Sequence, residues 1–294
     1  RRRLVEEGEL QPSLQDTLQV IQKSGNSFGE NKRKRGRWTR DLDFEVKDAR
    51  KEPVEVLWFV GDYASFDPRS QTVTRTIAEL FHRAGVDFGI LYDGERNAGN
   101  DVRRAGEEGL FEALAEHNIA TLEGCEFDRI VTSDPHSLNT LRHEYGELGG
   151  SYEVVHHTEL LAGLVEEGRL QPVAGDEEIT YHDSCYLARH NDVLAAPRAL
   201  VSKIGRPLEM ARSGKRGFCC GAGGAHMWME ERGSAINEER AREAIGTGAT
   251  TVAVACPFCT VMLDDGVQST GAKLRVADVS TLLLESLKER QGES

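Results

Sequence analysis

Five cysteines dominate the chemical possibilities of this chain: Cys185, Cys219, Cys220, Cys256 and Cys259 all fall in the last 110 of 294 residues, and Cys125 stands apart. Thiolates attack disulfides, bind soft metals and cage iron–sulfur clusters. An even count of six invites a disulfide reading, but this is not a short secreted domain, so a reducing compartment with cysteine as metal ligand is the better expectation. Cys256-Pro-Phe-Cys259 alone is ambiguous, because Cys-x-x-Cys serves zinc ribbons, redox disulfides and clusters alike. A thioredoxin-like pair would leave Cys185 and Cys219-Cys220 without a role. Structural zinc takes four ligands, and five overfill a tetrahedral site. Adjacent cysteines suit a cluster, in which each sulfur reaches a different iron. An iron–sulfur centre is therefore favoured, with zinc or a thiol–disulfide site as the alternatives.

These residues must be carried by elements that converge. Short apolar runs alternate with amphipathic segments from Val54 onward. Strands are expected over 54–60, 87–91, 129–132, 153–155, 178–181 and 250–255. Helices are expected over 73–84, 110–122, 138–145, 159–167, 195–204, 236–244 and 280–289, and from Pro257. Such alternation predicts α/β architecture with mainly parallel pairing. Cys185 then follows the strand 178–181, and Cys256 ends the strand 250–255. Pro257 opens a helix at its first position, and Cys259 lies in that helix's first turn. Cys219-Cys220 precede Gly221-Ala-Gly-Gly224 and an expected helix containing Met227-Trp-Met-Glu230. All five thus gather at strand ends and helix starts, the edge of an open α/β sheet where ligands bind. Helix N-termini favour thiolate, and Gly221, Gly223 and Gly224 let backbone amides approach sulfide with no Cβ in the way.

The chain also repeats itself. Residues 130–141 align with 252–263 at an offset of 122, so that Asp134 faces Cys256, Pro135 faces Pro257 and Ser137 faces Cys259. The same offset sets Asn97 against Cys219, and an offset of 123 sets Asp62 against Cys185. A shared offset at three separated places implies duplication. The expected organisation is two α/β halves with mainly parallel sheets, 54–175 and 176–294, preceded by a short helix and basic linker over 1–51.

The pattern Cys185 … Cys219-Cys220-Gly221 … Cys256-Pro-Phe-Cys259, with 33 and 35 intervening residues, resembles the cysteine-rich CCG domain. That domain is shared by heterodisulfide reductase subunits, the anaerobic glycerol-3-phosphate dehydrogenase iron–sulfur subunit, and related lactate and glycolate oxidase subunits. Tyr181-His-Asp-Ser-Cys185, Phe218-Cys-Cys-Gly-Ala-Gly-Gly224 and Met227-Trp-Met-Glu-Glu231 carry the likeness, which covers about residues 53–290. The resemblance implies tandem CCG units and a [4Fe–4S] cluster, non-cubane in the heterodisulfide reductases, held here by Cys185, Cys219, Cys220, Cys256 and Cys259. It implies a degenerate first unit, with Asp62, Asn97, Asp134 and Ser137 at ligand positions, serving as a scaffold without a cluster. It further implies an oxidoreductase that passes electrons between an upstream ferredoxin-like module or subunit and a thiol, disulfide, quinone or flavoprotein partner. A non-catalytic relay or assembly module, or a zinc-stabilised structural domain, is the alternative.

Composition sets the outer bounds. With 36 Lys+Arg against 49 Asp+Glu the formal net charge is −13, and 39% of residues are hydrophobic. That balance is globular and excludes fibrous or disordered classes. Residues 1–51 carry 13 basic and 9 acidic side chains, so the rest is strongly acidic, which argues against nucleic acid. The run Lys32-Arg-Lys-Arg-Gly-Arg37 is read as part of a solvated linker. No run of about 18 apolar residues is present, so no membrane span is expected in the sequence given. The opening Arg1-Arg2-Arg3-Leu4 leads to the expectation of a fragment of a longer, cytoplasmic polypeptide, with any membrane association made through a part upstream. His182 and Asp183 are candidates for hydrogen bonding near a cluster, and Cys125 is expected to be a small, partly buried residue.

Overall fold

The computed structural model describes residues 3, 5, 7–230, 233 and 235–288; Leu4, Glu231 and Glu289, which figured in the expectations above, lie outside them. The chain divides into two units. One comprises residues 1–75, 87–155 and 222–232; the other comprises 76–86, 156–221 and 233–294.

The first unit is built on five strands, β1 (Lys47–Asp48), β2 (Val54–Phe59), β3 (Phe88–Ile90), β4 (Phe127–Thr132) and β5 (Val154–His156), in the order β1-β3-β2-β4-β5. The pairs β1–β3, β2–β3 and β2–β4 are parallel. Central β2 carries the apolar run Val56-Leu57-Trp58-Phe59, all fully buried. That is the signature of a strand covered on both faces. The helix Pro12–Ser24 starts with Pro at its first turn, buries Leu14, Leu18 and Ile21 on one face, and stops at Gly25 in the left-handed region.

The stretch 24–51 is not the solvated linker its composition suggested. Trp38 is buried edge-on against Trp58 at 5.4 Å, β1 joins the sheet, and Arg35 is 2% exposed. A basic run reads as solvent-facing because charges seldom bury unless paired. Here the acidic partners of Arg35 come from far along the chain, where a sequence window does not reach.

The second unit has four strands, β6 (Glu178–Tyr181), β7 (Arg206–Leu208), β8 (Thr251–Val254) and β9 (Arg275–Asp278), all parallel, in the order β7-β6-β8-β9. Apart from the added edge strand β1, this is the order of the first unit. The two halves are duplicated α/β sheets, as the internal repeat implied. β7 and β9 escaped the sequence reading because they are three- and four-residue edge strands without a full alternation; Pro207 is tolerated at such an edge. Ala241, Ala244, Val252, Val254, Leu263 and Val267 share one core cluster. Gly266 lets the helices Ile236–Ile245 and Pro257–Thr270 cross closely, since a Cβ there would meet the Asn237 carbonyl oxygen at 2.7 Å.

One expected helix is absent. Residues 226–228 form a single 3₁₀ turn, and Met229 is already extended. The segment is instead tied down within the first unit, where the Ala225 N–H donates to Asp101 at 2.9 Å and the Glu230 N–H donates to Gln11 at 3.1 Å.

Candidate metal centre

In each unit two neighbouring parallel strands, β2 and β4 in the first and β6 and β8 in the second, send the chain to opposite flanks of the sheet. The carboxyl ends of that pair are the topological switch point, where α/β sheets bind ligands. In the second unit the pair is β6 and β8. Beyond β6, the His182 N–H still donates to the Ala253 carbonyl, and three residues later Cys185 starts a wide helical turn over Tyr186–His190. Beyond β8, Cys256 is the extended residue before the helix Pro257–Thr270, with Pro257 at the first position and Cys259 one turn in. Cys219 and Cys220 arrive on a loop that turns at Gly221, whose φ of +99° and close neighbours Met262 and Ile236 leave little place for a side chain.

The structure brings all five sulfurs into one connected string. Cys259 donates to Cys220 at 3.3 Å, Cys219 has the thiols of Cys185 and Cys220 as its interacting neighbours, and Cys259 has that of Cys256. None is in a disulfide. Cys220, Cys256 and Cys259 are buried, and Cys185 and Cys219 are partly so. The hydrogen bonds from Cys185 and Cys220, together with the Gly221 N–H at 3.2 Å, hold the Cys219 thiol far below its usual range. Cys185 is pushed up by giving its proton to that bond and then by burial, and Cys220 and Cys259 are raised in the same manner. Metal binding at such a set must therefore expel protons as each thiol becomes a ligand.

His182 lies beside this string. One of its ring nitrogens is within 4.8 Å of the Cys220 and Cys259 sulfurs. Burial, reinforced by the charge of Arg240, lowers its pKa to about 3. Its Nδ1 accepts from Arg240 Nε at 2.9 Å, while its buried Nε2 has no protein partner. Asp183, the other residue singled out near Cys185, is committed elsewhere: it forms a two-pronged ion pair with Arg198 at 2.6 and 2.8 Å and accepts the Gly214 N–H.

Gly223 and Gly224 group with the first unit. The Gly224 and Ala225 amides both donate to Asp101, with the His136 ring 2.8 Å from the same carboxylate. Burial opposes charge on Asp101, but the ring and the amides outweigh it and hold the carboxyl below its usual range. Cys125, in the first unit, donates to the Thr121 carbonyl and is half-buried.

The positions in the first unit that correspond to the cysteines hold a different assembly. Asp62 accepts from Arg35 Nη2 and Asn97 Nδ2, each at 2.6 Å, and from the Ser27 N–H at 2.8 Å. Arg35 Nη1 donates to Glu95 at 2.8 Å, and Glu95 also accepts the Val60 and Gly61 amides. Asp134 caps the helix Pro135–His143 and takes the Ser137 hydroxyl at 2.6 Å. The cation at this switch point is thus supplied by Arg35.

A five-thiol string suits a multi-iron cluster better than a single tetrahedral ion, and a buried imidazole nitrogen without a protein partner is consistent with a further acceptor in the same place. Sequence reasoning missed Arg35 and Arg240. Arg240 sits in Glu238-Glu-Arg-Ala-Arg242, which reads as a charged helix surface, yet it is fully buried. The one available signal was its place beside Ala241 and Ala244, the small residues of the helix's inner face.

Among the described residues no helix is long and apolar enough to cross a membrane. The cysteine-rich CCG domain matches the chain twice, over residues 56–142 and 179–264. The chain is 41% identical to the "Probable iron-sulfur-binding oxidoreductase FadF" of Bacillus subtilis, over 96% of this chain and 42% of that protein. It is 36% identical to the "EtfAB:quinone oxidoreductase" of Syntrophomonas wolfei, over 80% of this chain and 34% of that protein. It is 28% identical to a dihydromethanophenazine:CoB–CoM heterodisulfide reductase subunit of Methanosarcina barkeri, over 83% of this chain and 61% of that protein. The chain thus spans about two fifths of the first relative and a third of the second. Matched twice, over more than half of its length, it belongs to the cysteine-rich CCG domain family.

Proposed function

We propose that this chain is an electron-transferring part of an iron–sulfur oxidoreductase, with a [4Fe–4S] cluster held by Cys185, Cys219, Cys220, Cys256 and Cys259 of the second unit. The observation that carries this reading is the meeting of five thiols, none in a disulfide, from three separate loops, in one string at the switch point. When bound, such a cluster supplies one-electron oxidation and reduction in a buried setting. The chain's own groups prepare the place for it. Proline at the start of the helix Pro257–Thr270 sets its first turn, the Gly221 N–H reaches a sulfur, and Cys220, Cys256 and Cys259 are themselves buried.

The wider electron path is part of the same proposal. Electrons pass between a ferredoxin-type cluster, on an upstream module or a separate subunit, and a thiol/disulfide, quinone or flavoprotein partner. The names of the relatives support this range, since they include an EtfAB:quinone oxidoreductase and a heterodisulfide reductase subunit. The first unit contributes scaffold, because Asp62, Asn97, Asp134 and Ser137 stand at the matching positions and Arg35 is paired with Asp62 and Glu95 there.

Iron and acid-labile sulfide analysis of anaerobically purified protein, with electron paramagnetic resonance of the oxidised form, tests the cluster. About four irons and four sulfides per chain are expected. Zinc in place of iron would overturn the reading. A change in the paramagnetic signal on adding a thiol or disulfide would assign the partner side to sulfur chemistry.

A further inference from the structure

The cysteine string has a neighbour whose hydrogen atom can be located by elimination. A guanidinium has donors and no acceptor, so the nitrogen that faces it must be an acceptor. Arg240 Nε lies 2.9 Å from His182 Nδ1. That nitrogen therefore carries no proton, and the proton of the neutral imidazole resides on Nε2. Arg240 cannot swing away to release the ring. It is fully buried, and its Nη1 donates both to the Arg212 carbonyl at 3.0 Å and to Glu243 at 2.8 Å. Glu243 is held in turn by the Arg212 N–H at 2.6 Å and the Arg212 Nε at 3.0 Å. The outcome is a chain of buried polar groups, Glu243 to Arg240 to His182, that ends in an N–H with no protein partner. A buried donor left unsatisfied is costly, and native structures rarely keep one without a purpose. The ring stands within 4.8 Å of the Cys220 and Cys259 sulfurs.

We propose that His182 is a positioned hydrogen-bond donor to the sulfur-bound centre, with its tautomer set by Arg240, and that this N–H raises the reduction potential of the cluster. The inference rests on the cluster reading above and deepens it. Hydrogen bonds to cluster sulfur are among the levers that set potential. Reduction adds an electron and so adds negative charge to the sulfurs, and a donor stabilises the charged state more than its oxidised precursor. No proton moves in this scheme; the imidazole stays neutral in both redox states. Arg240 acts through the ring as a positioning residue.

The test is a potentiometric titration of the anaerobically purified chain, followed by electron paramagnetic resonance. His182→Phe keeps the ring volume and removes the donor; His182→Gln offers an N–H near the place of Nε2; Arg240→Met frees the tautomer. His182→Phe is expected to lower the midpoint so that the reduced-to-oxidised ratio at a fixed potential falls about tenfold, which is about 59 mV for a one-electron couple. His182→Gln should recover most of the shift, and Arg240→Met should fall between. A fully loaded His182→Phe protein with an unchanged midpoint overturns the proposal and leaves the cluster intact. Wild-type protein without iron overturns the cluster reading instead. If His182→Phe does not load, the wild type decides. Selective ¹⁵N labelling of histidine should give a hyperfine coupling from an imidazole nitrogen to the paramagnetic state of the cluster, and its absence sinks the proposal.

Discussion

Both units present the carboxyl ends of a neighbouring parallel pair, β2 and β4 in one and β6 and β8 in the other, as the place where loops meet, and they fill it differently. In the second unit Cys185, Cys219, Cys220, Cys256 and Cys259 form a string of thiols. In the first, Asp62, Asn97, Asp134 and Ser137 stand at the matching positions, and the Arg35 guanidinium lies between Asp62 and Glu95. The same strand order thus gathers thiols in one half and an internal ion pair in the other. Topology decides where ligands can gather; the residue types decide what is gathered. Carboxylates without a bound metal need a positive partner once buried, and a segment preceding the first sheet supplies it.

The largest expected effect separates the units directly. Cys220→Ser or Cys259→Ser should abolish nearly all iron binding, because each removes a sulfur from the middle of the string; iron analysis of the purified variants checks this. Asp134→Ala, at the position matching Cys256, should leave the iron content unchanged, and iron lost there would break the comparison. Next, Arg35→Met leaves Asp62 and Glu95 buried without their cation. A loss of about 3–5 kcal/mol is expected, read by urea unfolding. A near-neutral result would mean that the ion pair is incidental to the first unit.

A smaller effect is expected at Gly221. Alanine there must adopt a φ of +99° and meet Met262 at 3.1 Å and Ile236 at 3.2 Å, costing about 1–2 kcal/mol and displacing an amide from Cys219. A lower iron occupancy at unchanged secondary structure by circular dichroism would show it. The smallest effect sharpens the comparison most. Asp62→Cys, Asn97→Cys, Asp134→Cys and Ser137→Cys, combined with Arg35 retained, should add no iron beyond wild type. A second complement of iron in that variant would mean that thiols alone specify the site and that Arg35 excludes nothing.

Much of this was legible in the chain. The apolar run of β2, the proline-led helix after Cys256 and the repeat that sets Asp134 against Cys256 are local or periodic patterns, and each appears where it was expected. The short edge strands β7 and β9 were not, because three or four residues carry too little pattern. The expected helix after Gly224 was not formed either; long-range bonds to Asp101 and Gln11 hold that segment as a turn, and no propensity scale contains them.

The amino-acid sequence by itself determined which side chains are on offer, since thiol identity and spacing do not depend on the fold, and it determined the duplication, since an offset is a property of the string of letters. Only the tertiary structure decided that Arg35 would enter the first unit as a buried cation and that Arg240 would orient His182. The physical reason is shared by both. A charge in a sequence looks solvated until its partners are found, and the partners that bury these two arginines include Asp62 and the neutral ring of His182, 27 and 58 residues away along the chain.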